Sequence, residues 1–498
     1  MGNSLFAGGY QIMKLSRLLF TFTLGLLTNF HLLAQHTQVV DLGSKRELFV
    51  DHFLIDKMDG VSLSLHMPRD EGPVFYFDKS WEGPFSGYAT VIRVGNIFRA
   101  YYRGLSIAAG DESETQVTCI AESKDGIHWT KPEVDLFEVE GSTKNNVVLA
   151  GDVFTNHNFT PFLDTNPKAD PSAKFKAIGG SHKSGLFFYA SPDGVKWTKV
   201  VKDAVFKEGV FDSQNVAFWS ESEQQYVLYF RTWSEGGFHA FKGKRSVSRT
   251  TSKDFLHWEK PVAMTFGGTP QEDLYTHQTS PYFRAPHIYL AIGARFMAGR
   301  KVVSDEQAKI LNVNPNYYKD CSDAILMTSR GGTNYDRTFM ESFIRPGIGL
   351  KNWVSRSNYP ALNVVQTGPD EMSVYVNQDY AQQTAHLHRY SLRLDGFSSV
   401  LAPYKGGSMT TRYFRFSGKQ LYINYATSAP GEIRFELQDD KGKPLPGFNF
   451  ENAELMIGNE TNAPVRWKGQ TDVSSLAGKV VRLKVQMKDA NLYSLQFQ

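Results

Sequence analysis

Two carboxyl groups set across one bond can carry acid–base chemistry, one protonated to donate to a leaving oxygen and one ionised to attack or to activate water. Acidic residues suited to that task stand just ahead of apolar, β-forming runs in this sequence. They are Glu82 in Trp81-Glu82-Gly83, Asp212 in Asp212-Ser213-Gln214-Asn215, and the neighbours Glu272 and Asp273. Polar companions occupy matching places: Asn156-His157-Asn158, His277-Gln278 and Gln366. Such groups both donate and accept, as a ligand rich in hydroxyls requires. Asp212 and Glu82 rank first as the working pair, then Glu272 and Asp273, with Trp81, His157, Gln214 and His277 on the substrate. Simpler roles compete at each position: a turn cap for Asp212, a lysine partner such as Lys79 for Glu82, and backbone hydrogen bonds for the histidines. Asp51 and Asp56, in FVDHFLID, fit a strand leading into the fold better than a site.

Arginine adds a second pattern. The runs YYRG, YFRTW and GARF carry Arg103, Arg231 and Arg295 at their ends. A guanidinium is a planar fork matched to carboxylate or sulfate. The simpler role is to orient the catalytic carboxylates and tie sheets together; the sharper one is to select an acidic sugar. No metal set stands out, since His386 and His388 in HLH have no evident further ligands. The two cysteines, Cys119 and Cys321, are read as free thiols with no Cys–His dyad. A formal charge of +3, with no basic run interleaved with aromatics, excludes nucleic acid as the expected partner.

The elements that hold these residues repeat. SKDGIHW at 123–129, SPDGVKW at 191–197 and SKDFLHW at 252–258 are three versions of one phrase, with weaker echoes in TSRGGTNYD at 328–336 and LRLDGFSS at 392–399. Asp-Gly between extended runs is a hairpin signal, because Gly supplies positive φ without a steric penalty. Their Asp residues (Asp125, Asp193, Asp254, Asp395) therefore belong to folding. Strand–turn–strand runs precede them at 87–104, 215–233 and 280–296, with shorter versions at 371–380 and at 158–164 with 174–180. Five such units, each a four-stranded antiparallel sheet, predict an all-β chain built on a five-bladed β-propeller. Unrelated hairpins in an all-β protein are the blander alternative. In a propeller the innermost strands begin at one mouth of the central channel, which brings the candidates above together.

Residues 1–35 read as an export leader, with a basic start at Met13, an apolar run over 18–34 and cleavage after Ala34. That places the protein in the periplasm or outside the cell, with no membrane span. The propeller is expected over 36–402, with 47–67 running along it and helping to close the ring. After a Gly-rich connector at 402–414, alternating strands predict a β-sandwich over 403–498.

With its S-x-D-G-x-x-W hairpins and C-terminal β-sandwich, the chain resembles the five-bladed propeller glycosidases of glycoside hydrolase families 32, 43 and 117. It is most similar to a bacterial family-32-like group, through 270–296 and 320–347. The fructan-hydrolase signature W-x-N-D-P-N-G is absent, so catalytic residues are argued from position and not by motif. The resemblance implies a glycosidase acting on a plant or algal oligo- or polysaccharide. It implies no cofactor beyond a structural calcium in the channel. The rival from another class is a non-catalytic carbohydrate-binding propeller, and a third reading is a sialidase-like hydrolase of an acidic sugar.

Overall fold

The structure, a computed structural model, describes residues 39–107 and 115–498. The leader expected over 1–35 lies outside the described residues. The chain divides into two compact units, 63–399 and the combination of the described residues up to 62 with 400–498.

The first unit is a five-bladed β-propeller. Its blades start from the inner strands Gly87–Val94, Thr160–Leu163, Val216–Ser220, Thr279–Tyr282, and the broken pair Tyr359–Pro360 and Val365–Gln366. Each inner strand pairs with an antiparallel second strand, respectively Ile97–Gly104, Phe175–Ser181, Gln225–Trp233, Ala285–Met297 and Glu371–Gln378. Third strands follow at Val117–Ser123, Gly185–Ser191, Arg245–Ser252, Cys321–Ser329 and His386–Arg393. Consecutive inner-strand regions touch in cyclic order, blade five reaching blade one through the parallel bridge of Thr90 with Leu362.

Blade five departs from the expected hairpin. Its outer strand is Arg69–Tyr76 from the start of the unit, paired with His386–Arg393, while 371–380 supplies one strand and not two. Closing a ring with a strand from the other end of the chain removes the free edge that a terminal blade would expose.

The S-x-D-G phrase also works differently from a two-residue hairpin. Ser123 Oγ accepts from the amides of Asp125 and Gly126, and Asp125 Oδ1 accepts from those of Ile127 and His128, both at 2.8 Å. Ser191/Asp193 and Ser252/Asp254 repeat the pattern. Five or six residues thus link strand to strand, stitched by two side chains. Only the fourth residue of the phrase has positive φ: Gly126 at 76°, Gly194 at 74° and Phe255 at 67°.

The second unit is all-β and draws in the N-terminal segment. Arg46–Leu48 pairs with Arg482–Phe497, Ile55–Asp59 with Gly407–Thr411, and Val40–Gly43 with Phe414–Phe416. The stretch expected along the propeller therefore supplies strands to this unit as far as Asp59. The connector expected at 402–414 contains a strand as well, because Gly407 pairs with Met487. Two long strands, Leu421–Gln438 and Arg482–Phe497, form the spine, each merging two runs that the sequence punctuates. Their pairing breaks register between Thr427 and Glu432.

Candidate active site

Hydrogen bonds fill the centre of the channel. Gln278 Nε2 donates to Gln214 Oε1 at 2.6 Å and to the Pro360 carbonyl at 2.8 Å, and Gln214 Nε2 donates to Thr90 Oγ1 at 2.8 Å. Blades one, three, four and five meet in this chain, so Gln214 is a plug and not a substrate contact. The plug presents amides and a hydroxyl. Calcium needs six to eight oxygens, with carboxylates prominent. Among the described residues no group of three or more His, Cys, Asp or Glu side chains is set to hold a metal. The residues of the plug do not fit the calcium that the resemblance implies.

Backbone strain marks the strand starts. Tyr88, Asn158, Gln278 and Asn358 have φ of 51°, 51°, 45° and 66°, a left-handed region costly for residues other than glycine. They belong to four different blades. Strain of this kind persists only where surrounding contacts over-determine it.

Above the plug the first shared feature is a group of tyrosines and arginines. The guanidinium carbons of Arg245, Arg231 and Arg356 lie 4.6, 5.0 and 5.6 Å from the ring centroid of Tyr275. Arg103 covers Tyr88 at 4.7 Å and donates to the Phe85 carbonyl at 3.1 Å. Tyr359 stacks obliquely on Tyr275, with centroids 4.9 Å apart. Over this group folds the excursion between the second and third strands of blade four. Its short helix Asp305–Ile310 is capped by Ser304, and Val303, Ala308 and Val313 pack with Phe85, Leu105, Val354 and Tyr380. Tyr317 from the same excursion lies 5.1 Å from the Arg356 guanidinium.

Asp212 belongs to this mouth. It is ion-paired with Arg231, and its side chain is 22% exposed while the arginine's is 1% exposed. Burial works to lower the Arg231 pKa, but Asp212 and the tyrosines around it hold the group above its ordinary value. Asp273 lies in the next blade. It pairs with Arg245 at 3.1 Å and also accepts the Arg245 amide, with 18% of its side chain exposed. A cleft of about 940 Å³ opens beside it, lined by Glu272, Asp273, Phe296, Asp323 and Trp353 among others.

Glu82 does not join them. Its carboxylate is fully buried, accepting from Lys131 Nζ at 2.5 Å and Tyr102 Oη at 2.7 Å. Lys131 also donates to Asp78 and to the Tyr76 carbonyl at the end of the strand that closes blade five, so the pair is a structural tie where blade one meets blade five. The neighbouring Trp81 donates its indole N–H to Asn146 and packs on the Phe75–Tyr102 cluster. Glu272 reaches the cleft but is held between Arg295 and Arg337, and Arg295 also binds Asp323. Arg295 is thus a carboxylate holder in blade four. His157 is buried against Gln116 at 2.8 Å. His277 is sealed, its Nδ1 3.1 Å from Thr279 Oγ1, and burial pushes its pKa down to about 3.

Arg245, Arg356, Tyr88, Tyr275 and Tyr359 escaped the sequence reading. For some the signal was present: a tyrosine stands within a few residues of the inner-strand start in blades one, four and five. Arg245 opens the third strand opposite Trp233, at the same end as Arg231. Arg356 sits in an irregular stretch without pattern.

Fold and site together define a five-bladed propeller with acidic and cationic side chains at one channel mouth. No family model matches the chain, and no curated protein matches its sequence. Solved structures similar to it include a glycoside hydrolase family 43 arabinoxylan arabinofuranohydrolase from Bacillus subtilis in complex with cellotetraose. That likeness has 10% identity, a TM-score of 0.41, and covers 84% of this chain and 96% of that one. A glycosyl hydrolase from Bacteroides ovatus is similar at 13% identity and a TM-score of 0.41, over 70% and 97% of the two chains. An N-acetylgalactosamine deacetylase from F. plautii, in complex with blood group B trisaccharide, is similar at 14% identity and a TM-score of 0.41, over 66% and 95%.

Proposed function

We propose that the chain is a glycoside hydrolase acting at the channel mouth, with Asp212 and Asp273 as its working carboxyls. The observation that carries this reading is their placement in adjacent blades. Each is partly open to solvent, and their arginines lie against the same ring, Tyr275. Glycoside cleavage needs two carboxyls in different protonation states. An adjacent cation favours the ionised form of a carboxyl, so Asp212, held by the sealed Arg231, is assigned as nucleophile or base. Asp273 is the acid. Its partner Arg245 is 19% exposed, so substrate can share that guanidinium.

The sugar we place here is an oligo- or polysaccharide of plant or algal origin, the class carried by the family resemblance. The apolar run at 18–34 supports an exported protein, and N-terminal sequencing after export should find Gln35 first. We read the second unit as a β-sandwich, its long strands bending at the Thr427/Glu432 break to serve two layers.

The test is release of reducing ends from a panel of such oligosaccharides by the wild type, Asp212→Asn and Asp273→Asn. Near-normal turnover in either folded variant sinks the assignment of that residue. A non-catalytic sugar-binding propeller is the second reading, favoured because Asp212, Glu272 and Asp273 are all paired with arginine. It predicts binding without turnover across the panel.

A further inference from the structure

We propose that the sugar bound at this mouth is anionic, its carboxylate or sulfate seated against Arg356 and Arg231. The inference rests on the channel mouth being a sugar site, as argued above.

Charge is unbalanced around Tyr275. Of the three guanidinium groups around Tyr275, those of Arg231 and Arg245 have carboxylate partners, Asp212 and Asp273. Arg356 makes no ion pair among the described residues. Its neighbours are the rings of Tyr275 and Tyr317, and the guanidinium is mostly buried beneath the blade-four excursion. Burying a cation without an anion is costly, and attraction to aromatic faces returns only part of that cost. The backbone of Arg356 is also strained, at φ 61°. A mostly buried cation held on a strained backbone without a counter-ion is a site prepared for one.

A second observation points the same way. Nε and Nη1 of Arg231, and Nε of Arg245, are buried donors with no hydrogen-bond partner. Arg231 is itself 1% exposed, so solvent does not satisfy it. Sugar hydroxyls could accept from these donors but could not balance Arg356. A carboxylate or sulfate does both. The adjoining cleft extends the pattern, because Arg300 and Arg345 on its wall are exposed and make no ion pair among the described residues. A chain carrying repeated charges would meet them outside the mouth.

The experiment measures binding of the full chain to two matched pairs of oligosaccharides: oligogalacturonate against its methyl ester, and a sulfated galactan against its desulfated form. Preference for the first pair identifies carboxylate and for the second sulfate. The expected result is at least about tenfold tighter binding of one acidic member than of its neutral twin, weakening with salt. Arg356→Gln should erase that preference and Arg356→Lys should keep part of it. The proposal is overturned if neither acidic member outbinds its twin, or if folded Arg356→Gln keeps the full preference. Should Arg356→Gln fail to fold, the exposed double variant Arg300→Gln/Arg345→Gln takes its place. It should lower the preference severalfold, and an unchanged preference counts against the proposal. The two readings separate cleanly. Acid-selective binding without hydrolysis removes the hydrolase and leaves the anion site, whereas equal cleavage and binding of acidic and neutral twins does the reverse.

Discussion

Tyr101 of blade one donates its hydroxyl to the carbonyl of Gly194, 2.8 Å away in blade two. The same relation joins Tyr375 of blade five to the Gly126 carbonyl of blade one. Tyr282 of blade four donates to Asp395 of blade five at 2.7 Å, and Arg249 of blade three to the Gly332 carbonyl of blade four at 2.5 Å. In blade three, Phe255 packs on Phe188 of blade two, with centroids 4.7 Å apart. Each repeated turn is therefore a clasp on the preceding blade.

A methyl group at Gly194 would stand 2.6 Å from Tyr101 Oη on a backbone with φ 74°. Gly194→Ala should cost about 2–3 kcal/mol, combining left-handed strain with loss of the clasp. Gly95 has a similar φ of 59°, and a methyl group there would meet nothing within 4 Å, so Gly95→Ala isolates the strain at about 1 kcal/mol. Denaturant unfolding of the two variants checks the difference. Equal losses would show that the clasp contributes nothing.

Glu82 and Lys131 form a buried pair, so Glu82→Gln should act on stability and not on chemistry. Removing one partner strands the other charge, a loss of about 3–5 kcal/mol. The double variant Glu82→Gln/Lys131→Met should recover much of that loss. Thermal melts measure it, and kcat of the folded fraction should match the wild type. A large fall in kcat at unchanged melting temperature would return Glu82 to the chemistry.

These two cases show which links were legible in the sequence. The Ser, Asp and Gly of each turn were visible because local hydrogen bonding fixes their spacing. What the turn docks against was not, because Tyr101 and Gly194 are 93 residues apart. Glu82 stands at the expected place before an inner strand, yet its side chain turns to Lys131, 49 residues on. A charge partner at such separation leaves no periodic trace. Asp212 and Arg231 were found together because both sit at strand ends that a propeller brings to one mouth. Arg356 lies where no strand rhythm reaches, and it took the folded chain to place it on Tyr275.

Asp212 and Asp273 should differ in how they fail. Asp212→Asn removes the ionised group and should lower kcat at least about a hundredfold at every pH tested. Asp273→Asn should remove the alkaline limb of the pH–rate profile, since the lost group is the proton donor. Substrates with a better leaving group should then be cleaved comparatively well. Profiles for the wild type and both variants, with a natural and an activated glycoside, make the comparison. An Asp273→Asn enzyme that keeps the alkaline limb would contradict the assignment.

Acid should weaken the fold from about pH 6.5 downward. Burial lowers the pKa of His277 to about 3, and burial is also the main cause of the lowered values of His66 and His386. In the unfolded chain all three titrate near 6.5. Below that value the unfolded state binds protons that the folded state refuses, so stability drops as pH falls and the loss continues toward about 3 for His277. Above about pH 7 both states are neutral and these groups add no pH dependence. Each contributes a slope of at most about 1.4 kcal/mol per pH unit. His277→Gln removes one titrating group, so its stability should fall less steeply between about pH 6 and pH 4 whatever its cost at neutral pH. Denaturant midpoints across that range decide the matter, and parallel curves for variant and wild type would show that His277 is not held neutral.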